Sequence, residues 1–169
     1  MKMYRLTREQ LVPLNMDTVF DFFADARNLE RLTPPWLRFR ILTQGSLDLE
    51  AGSTIDYQLR LHRFPVRWQS EITCWQPPHR FIDEQRRGPY RRWVHTHTFE
   101  SVPGGTLVRD DVEYAVPGPS VVERLLVRPD LDRIFDYRAD QLNGWVLATH
   151  HSLAGVDQAA AGALWSGSP

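Results

Sequence analysis

The chain has 169 residues, of which 42% are hydrophobic and 24% charged, and its formal net charge is −1. These proportions suit one globular domain, which at this length buries roughly 70% of its extended-chain surface and needs no disulfide or metal staple. So small a net charge provides no field to draw the protein to nucleic acid or a membrane surface. Cys74 is the only cysteine, which rules out an intramolecular disulfide and suits a reducing compartment. No stretch approaches the ~20 apolar residues of a membrane span, and the opening residues lack a signal-like apolar run. The expectation is a cytoplasmic protein.

In chain order, residues 3–12 carry strand formers before Pro13 and Asn15 interrupt. From Met16 the pattern turns helical, with Val19, Phe22, Phe23 and Ala26 on one face. Asn15 or Asp17 suits the cap and Asn28 a stop. A second short helix over 29–33 must end before Pro34-Pro35. From Trp36 to Ala115 period-two alternation takes over, giving strands near 38–44, 53–62, 66–76, 80–87, 91–102 and 106–115. Gly45 and Gly52 flank one connection, and Phe64-Pro65, Gln76–His79, Gly88-Pro89 and Gly104-Gly105 mark the others. Short connections join antiparallel neighbours, because a parallel crossover needs a dozen or more residues. The result is a meander.

Ser120 with Glu123 has capping-box spacing for a short helix through Val127, and Asp130 suits the N-cap of a long final helix. The stripe of that helix is Leu131, Ile134, Phe135, Arg138, Leu142 and Trp145. After Ser152 the composition turns to Ala, Gly and Ser, so residues 1–151 read as a single domain and 152–169 as a flexible tail. A long meander needs a cover for its apolar face, and the final helix has the matching stripe.

The face so covered is too polar for a plain core. On a strand alternate residues share a side, so Trp93, His95, His97 and Phe99 point one way. Phe81, Asp83 and Gln85 alternate likewise in the strand before, and Val108, Asp110, Val112 and Tyr114 in the strand after. Tyr57 and Trp68 add to the same face, and Phe135 and Arg138 meet it from the helix. Buried charge costs several kcal/mol, so these groups must pair, bind water or meet a ligand. Pairing of Arg138 with Asp83 or Asp110 is the obvious arrangement. The alternative for each residue alone is a satisfied core hydrogen bond, or an arginine that snorkels to the surface. As a set they suit a polar-lined pocket.

The order of strand, helix pair, six-strand meander and long helix resembles the START/Bet v 1-like (SRPBCC) superfamily. The stretch Phe81–Phe99 with Asp110, Val112–Pro117 and Ile134–Arg138 is similar to bacterial members related to polyketide cyclase/dehydrase and coenzyme-Q-binding START domains. The resemblance covers roughly residues 3–150. It implies an α+β helix-grip fold: a curved seven-stranded antiparallel sheet around a long C-terminal helix, with two short helices after strand 1. It also implies a cavity for a lipid, isoprenoid, polyketide or aromatic molecule, and it carries over no shared catalytic set.

Two functional expectations follow. The first is binding of a small hydrophobic or amphipathic ligand by Tyr57, Trp68, Asp83, Gln85, Trp93, His95, His97, Phe99, Asp110, Tyr114, Phe135 and Arg138, with Phe22, Phe23 and Trp36 as further walls. The second is a cyclase or dehydratase in which His95 or His97 works with Asp83 or Asp110 as acid and base, while Arg138 stabilises an anion. His95 and His97 with Asp83 or Asp110 also have the donor types of a zinc or iron site, although histidines two apart arise readily in strands. No metal or other cofactor is expected, nor any nucleic-acid partner or integral membrane segment. Exposed aromatics leave a homodimer open. The arginine pairs 86-87 and 91-92 around Gly88-Pro89-Tyr90 read as a solvated basic hairpin tip.

Overall fold

The computed structural model describes residues 1–44 and 49–163, with side chains up to His150. Strand β1 (Tyr4–Val12) leads into helices α1 (Met16–Ala24) and α2 (Asn28–Leu32) and a single 3-10 turn at Pro35–Leu37. Strands β2 (Arg40–Ile41), β3 (Thr54–Leu61), β4 (Phe64–Gln76), β5 (Arg80–Arg87), β6 (Arg92–Val102) and β7 (Gly105–Ala115) follow. Helix α3 (Ser120–Val122) passes through a π-type turn at Glu123–Val127 into α4 (Arg128–Ala163). The strands form one seven-stranded sheet in the order β1-β7-β6-β5-β4-β3-β2. Every neighbouring pair is antiparallel. This is the curved α+β helix-grip arrangement expected from the sequence.

β1 makes the meander a grip. It returns beside the last strand, paired from Tyr4 with Tyr114 to Val12 with Thr106. The turn between β6 and β7 then passes close under Val12. A Cβ at Gly105, where φ is 146°, would meet the Val12 carbonyl oxygen at 2.1 Å, so only glycine fits there. α4 lays Leu131, Phe135, Leu142 and Val146, all buried, over the concave face. Phe20, Phe23, Phe81 and Phe99 fill one end of that face with edge-on and stacked rings. Tyr4, Tyr90, Trp93 and Tyr114 cluster toward the other end.

Several local expectations are corrected. β2 is only two residues long, because Arg38 takes a left-handed φ of 46° and the amides of Leu42 and Thr43 both donate to the Asp56 carbonyl. The turn after β3 is His62-Arg63, with φ of 48° and 75°, whereas Phe64-Pro65 lies within β4, paired with Leu61 and Arg60. Two positive-φ residues match the right-handed twist of the flanking strands. No capping box forms at Ser120, because the Glu123 carboxylate accepts the Tyr114 hydroxyl proton at 2.8 Å instead. Asp130 lies in the first turn of α4, where its carboxylate is 2.7 Å from Nε2 of His62. Asn15 caps α1 through its contact with the Thr18 amide at 2.9 Å. Asn28 ends α1 indirectly: it opens α2 and donates its side-chain amide to the Phe22 carbonyl.

α4 continues past Ser152 to Ala163, through an alanine-rich stretch of strong helix formers. Residues 164–169 of the expected tail lie outside the described residues, as does Gly45. Among the described residues no helix is long and apolar enough to cross a membrane.

Candidate functional site

A cavity of about 160 Å³ lies between the sheet and α4. Ile55, Tyr57, Leu59 and Leu61 of β3, with Trp68, Ser70 and Ile72 of β4, form one wall. Both sets alternate, as strand geometry requires. Phe22, Phe23, Leu29, Leu32, Leu37, Phe39 and Leu49 close the side, and Leu131, Ile134, Phe135 and Arg138 of α4 form the roof. Asp83, His95 and His97 reach this mostly apolar space from the middle of the sheet.

Strand register brings the polar groups together. Asp83 is opposite His95 across β5 and β6, and His97 is opposite Asp110 across β6 and β7. The two imidazoles lie against each other, with centroids 3.8 Å apart, and both are buried. Nε2 of His95 is 2.9 Å from Oδ1 of Asp110, and Nε2 of His97 is 3.2 Å from Oδ2 of Asp83. The other contacts are looser. Nδ1 of His95 is 3.6 Å from Oδ2 of Asp83. Nδ1 of His97 comes within 2.9 Å of Oδ1 of Asp110 at an angle that makes no hydrogen bond.

Arg138 completes the charge balance. Its Nε is 3.7 Å from Oδ2 of Asp110, and the guanidinium sits 5.3 Å over the Phe23 ring. The Ser70 hydroxyl donates to Oδ1 of Asp83 at 3.3 Å, accepts from the Trp68 indole at 3.2 Å and lies 3.3 Å from the Tyr57 hydroxyl.

Burial is the largest influence on each of these groups, and their neighbours decide the outcome. His95 has its proton affinity lowered by burial and by the adjacent His97. For His97, burial is outweighed by the adjacent Asp110 carboxylate and the hydrogen-bonded Asp83, and its pKa rises. Burial opposes ionisation of Asp110, yet Arg138, His95 and His97 hold it well below the usual carboxylate range. Asp83 is lowered against burial by His97, His95 and Arg138. The Tyr57 hydroxyl is pushed well up by burial and then by the Asp83 charge.

Of the expected site residues, Tyr57, Trp68, Asp83, Trp93, His95, His97, Phe135 and Arg138 line the cavity, together with Phe22 and Phe23. Asp110 lies behind the histidines and borders a smaller space of about 60 Å³ between β1, β7 and α4. Gln85, Phe99 and Tyr114 do not line the main cavity. Gln85 braces the β5–β6 turn through the Tyr90 backbone, at 2.8 and 3.2 Å. Phe99 belongs to the phenylalanine cluster, and Tyr114 bonds Glu123 and stacks on Tyr4. Trp36 is half exposed and packs on Tyr137 outside the cavity. Sequence reasoning missed Ser70, Ile55, Leu59 and Ile72. The signal for them was present, since each alternates with Tyr57 or Trp68.

A sheet curved around one long helix, enclosing an apolar cavity with a polar inner wall, defines a helix-grip domain of the START/Bet v 1-like type. The chain matches the family of polyketide cyclase/dehydrase and lipid transport proteins over residues 12–142 and belongs to it. Among solved structures it is similar to protein Ms6760 from Mycobacterium smegmatis, at 20% identity and a TM-score of 0.64, over 86% of this chain and 92% of that one. It is also similar to TTHA0849 from Thermus thermophilus, at 20% identity and a TM-score of 0.64, over 86% and 99% of the chains. The major latex-like protein 151 of Panax ginseng aligns at 11% identity and a TM-score of 0.65, over 86% and 98%. At such identities these likenesses establish the fold alone. No curated protein sequence matches the chain.

Proposed function

We propose that the protein binds a small amphipathic molecule, its apolar body between β3, β4 and α4 and its polar head against Asp83, His95, His97 and Arg138. The observation that carries this reading is the ending of an otherwise apolar cavity on that buried polar wall. A fold needing only stability gains little from four ionisable groups there. The volume of about 160 Å³ bounds the occupant. A cavity of about 150 Å³ holds benzene, whereas drug-sized ligands take roughly 300–1,000 Å³. A single aromatic ring or short chain with one polar group therefore fits better than a full-length lipid, unless α4 or the α2–β2 segment moves aside. The same reading has the protein act in the cytoplasm, with Cys74 free.

The test is calorimetric titration of the full chain with monocyclic phenols and with medium-chain fatty acids, beside native mass spectrometry of the purified protein. Saturable binding of one class, weakened by Leu59→Trp and by Arg138→Ala, is expected. Affinity unchanged in both variants contradicts the assigned cavity.

A second reading is an enzyme of the cyclase or dehydratase kind. Adjacent groups whose proton affinities are driven apart supply a base and an acid at one pH, and His95 and His97 are driven in opposite directions. His95 would accept a proton, held by Asp110, while His97 would donate one and Arg138 would face developing negative charge. Loss of turnover in His95→Gln with ligand affinity retained is the result that selects this reading.

A further inference from the structure

His95 and His97 each lie between the same two carboxylates, giving four nitrogen–oxygen approaches of 2.9 to 3.6 Å. A neutral imidazole carries only one N–H. Donation along all four lines would need two imidazolium rings whose centroids are 3.8 Å apart, and like charges so close in a buried site repel strongly. At least one ring nitrogen therefore turns a lone pair toward a carboxylate oxygen. Both rings donate through Nε2, His95 to Asp110 and His97 to Asp83, which leaves the two Nδ1 atoms: that of His95 faces Oδ2 of Asp83 at 3.6 Å and that of His97 faces Oδ1 of Asp110 at 2.9 Å, neither with a hydrogen bond. Lone pair against anion is a repulsive contact, and a cation between them converts it into two bonds.

We propose that Asp83, His95 and His97 bind one divalent first-row transition-metal ion through Oδ2 of Asp83, Nδ1 of His95 and Nε2 of His97, the ion displacing to solvent the Nε2 proton that His97 shares with Asp83. One ligand atom from each of these residues falls within 4.8 Å of the others. Oδ2 of Asp83 is 3.2 Å from Nε2 of His97 and 3.6 Å from Nδ1 of His95. Bonds of about 2.1 Å place neighbouring ligands about 3.0 Å apart at a right angle and about 3.4 Å apart in a tetrahedron. The two carboxylate–nitrogen distances already fall close to these spacings, and the nitrogen pair, within 4.8 Å, closes by rotation of the side chains.

Two imidazoles and one carboxylate suit zinc or non-haem iron, and a set of three leaves coordination positions open. All three residues line the main cavity, so those positions face the space where a small molecule would sit. Asp110 stands outside the set as the orienting carboxylate, holding Nε2 of His95 at 2.9 Å, with Arg138 balancing its charge. This is the outer-sphere arrangement that fixes the tautomer of a metal-bound histidine. The proposal contradicts the sequence expectation of no metal, and it does not depend on the cavity holding an organic ligand.

The full chain is stripped with a chelator and titrated with Co²⁺, followed by visible absorption, and with Zn²⁺, followed by thermal unfolding. One equivalent of Co²⁺ giving ligand-field bands is expected, as is a rise in Tm with Zn²⁺. His95→Gln and His97→Gln each lower affinity by about tenfold or more, and Asp110→Asn lowers it roughly 10- to 100-fold. His62→Gln, at the exposed surface pair with Asp130, changes nothing. No saturable binding, or binding that survives His97→Gln, overturns the proposal. Should the variants fail to fold, imidazole NMR of the wild type decides: Co²⁺ must broaden the His95 and His97 rings first. Broadening that begins at His62 or His150 overturns the site.

Discussion

Asp110 holds His95 from behind: Oδ1 of Asp110 is 2.9 Å from Nε2 of His95, on the side of the ring away from Asp83. Across the same carboxylate, Oδ2 faces Arg138 at 3.7 Å. One buried anion thus serves a cation from the helix and an imidazole from the sheet. Asp110→Asn keeps the shape and removes the charge. Breaking a buried pair from one side leaves the other charge uncompensated, so we expect a loss of about 3 kcal/mol in urea unfolding. A change below experimental error would show that Arg138 has another partner.

Proton uptake should differ between the two adjacent rings. His97 is raised and His95 lowered from the ordinary value near ~6.5. In an NMR titration of the imidazole C–H signals, His97 should therefore titrate at the higher pH. The His97 contribution to stability is complete below the unfolded value and is lost as pH rises through the folded one. His95 acts oppositely, weakening the fold as acid protonates the unfolded chain. Relative to wild type, His97→Gln should cost more stability at about pH 5.5, below the unfolded value, than at a pH above the folded one.

Acid should destabilise the protein through the carboxylates. Asp83 and Asp110 are depressed in the fold, so their contribution is present above ~3.9 and is lost as pH falls through their folded values. Circular dichroism should show unfolding in that acid range. Asp110→Asn should flatten the transition, and an unaltered acid limb in that variant counts against the assignment.

Ser70 is the joint of the polar wall. Its hydroxyl meets the Trp68 indole, the Tyr57 hydroxyl and the Asp83 carboxylate. Ser70→Ala strands the Trp68 donor and weakens the hold on Asp83, at a cost of about 1–3 kcal/mol. Chemical denaturation measures it directly, and Ser70→Thr, which keeps the hydroxyl, should recover most of the loss.

Much of this architecture is legible in the residues. The alternation Trp93, His95, His97, Phe99 sets the buried face of β6 correctly, because strand side chains repeat every second position. Face, however, does not tell position along the strand. Phe99 and Tyr114 share the face with the histidines, yet they pack where the grip is filled solid. Gln85 follows the same alternation, but it lies near the end of β5, where the pairing with β4 slips beside Ser70, and its amide turns to the Tyr90 backbone. The size of Trp36 groups it with the walls, but the 3-10 turn at Pro35–Leu37 points Leu37 inward in its place. Alternation with Tyr57 marks the face of Ile55 and Leu59 but not the hollow beside them, since lining a cavity and filling a core look alike in one sequence. Small residues after Ser152 suggest a tail and so end α4 too early, where alanine also favours helix.

The indoles of Trp68 and Trp93 meet edge to face at 89°, with centroids 5.4 Å apart, and both border the cavity. Coupled chromophores at that distance and angle give the folded protein a near-ultraviolet dichroism set by their mutual orientation. An occupant that nudges either ring alters that signal and the emission of the pair. The hollow is thus instrumented by its own walls, and its filling can be followed optically without a label.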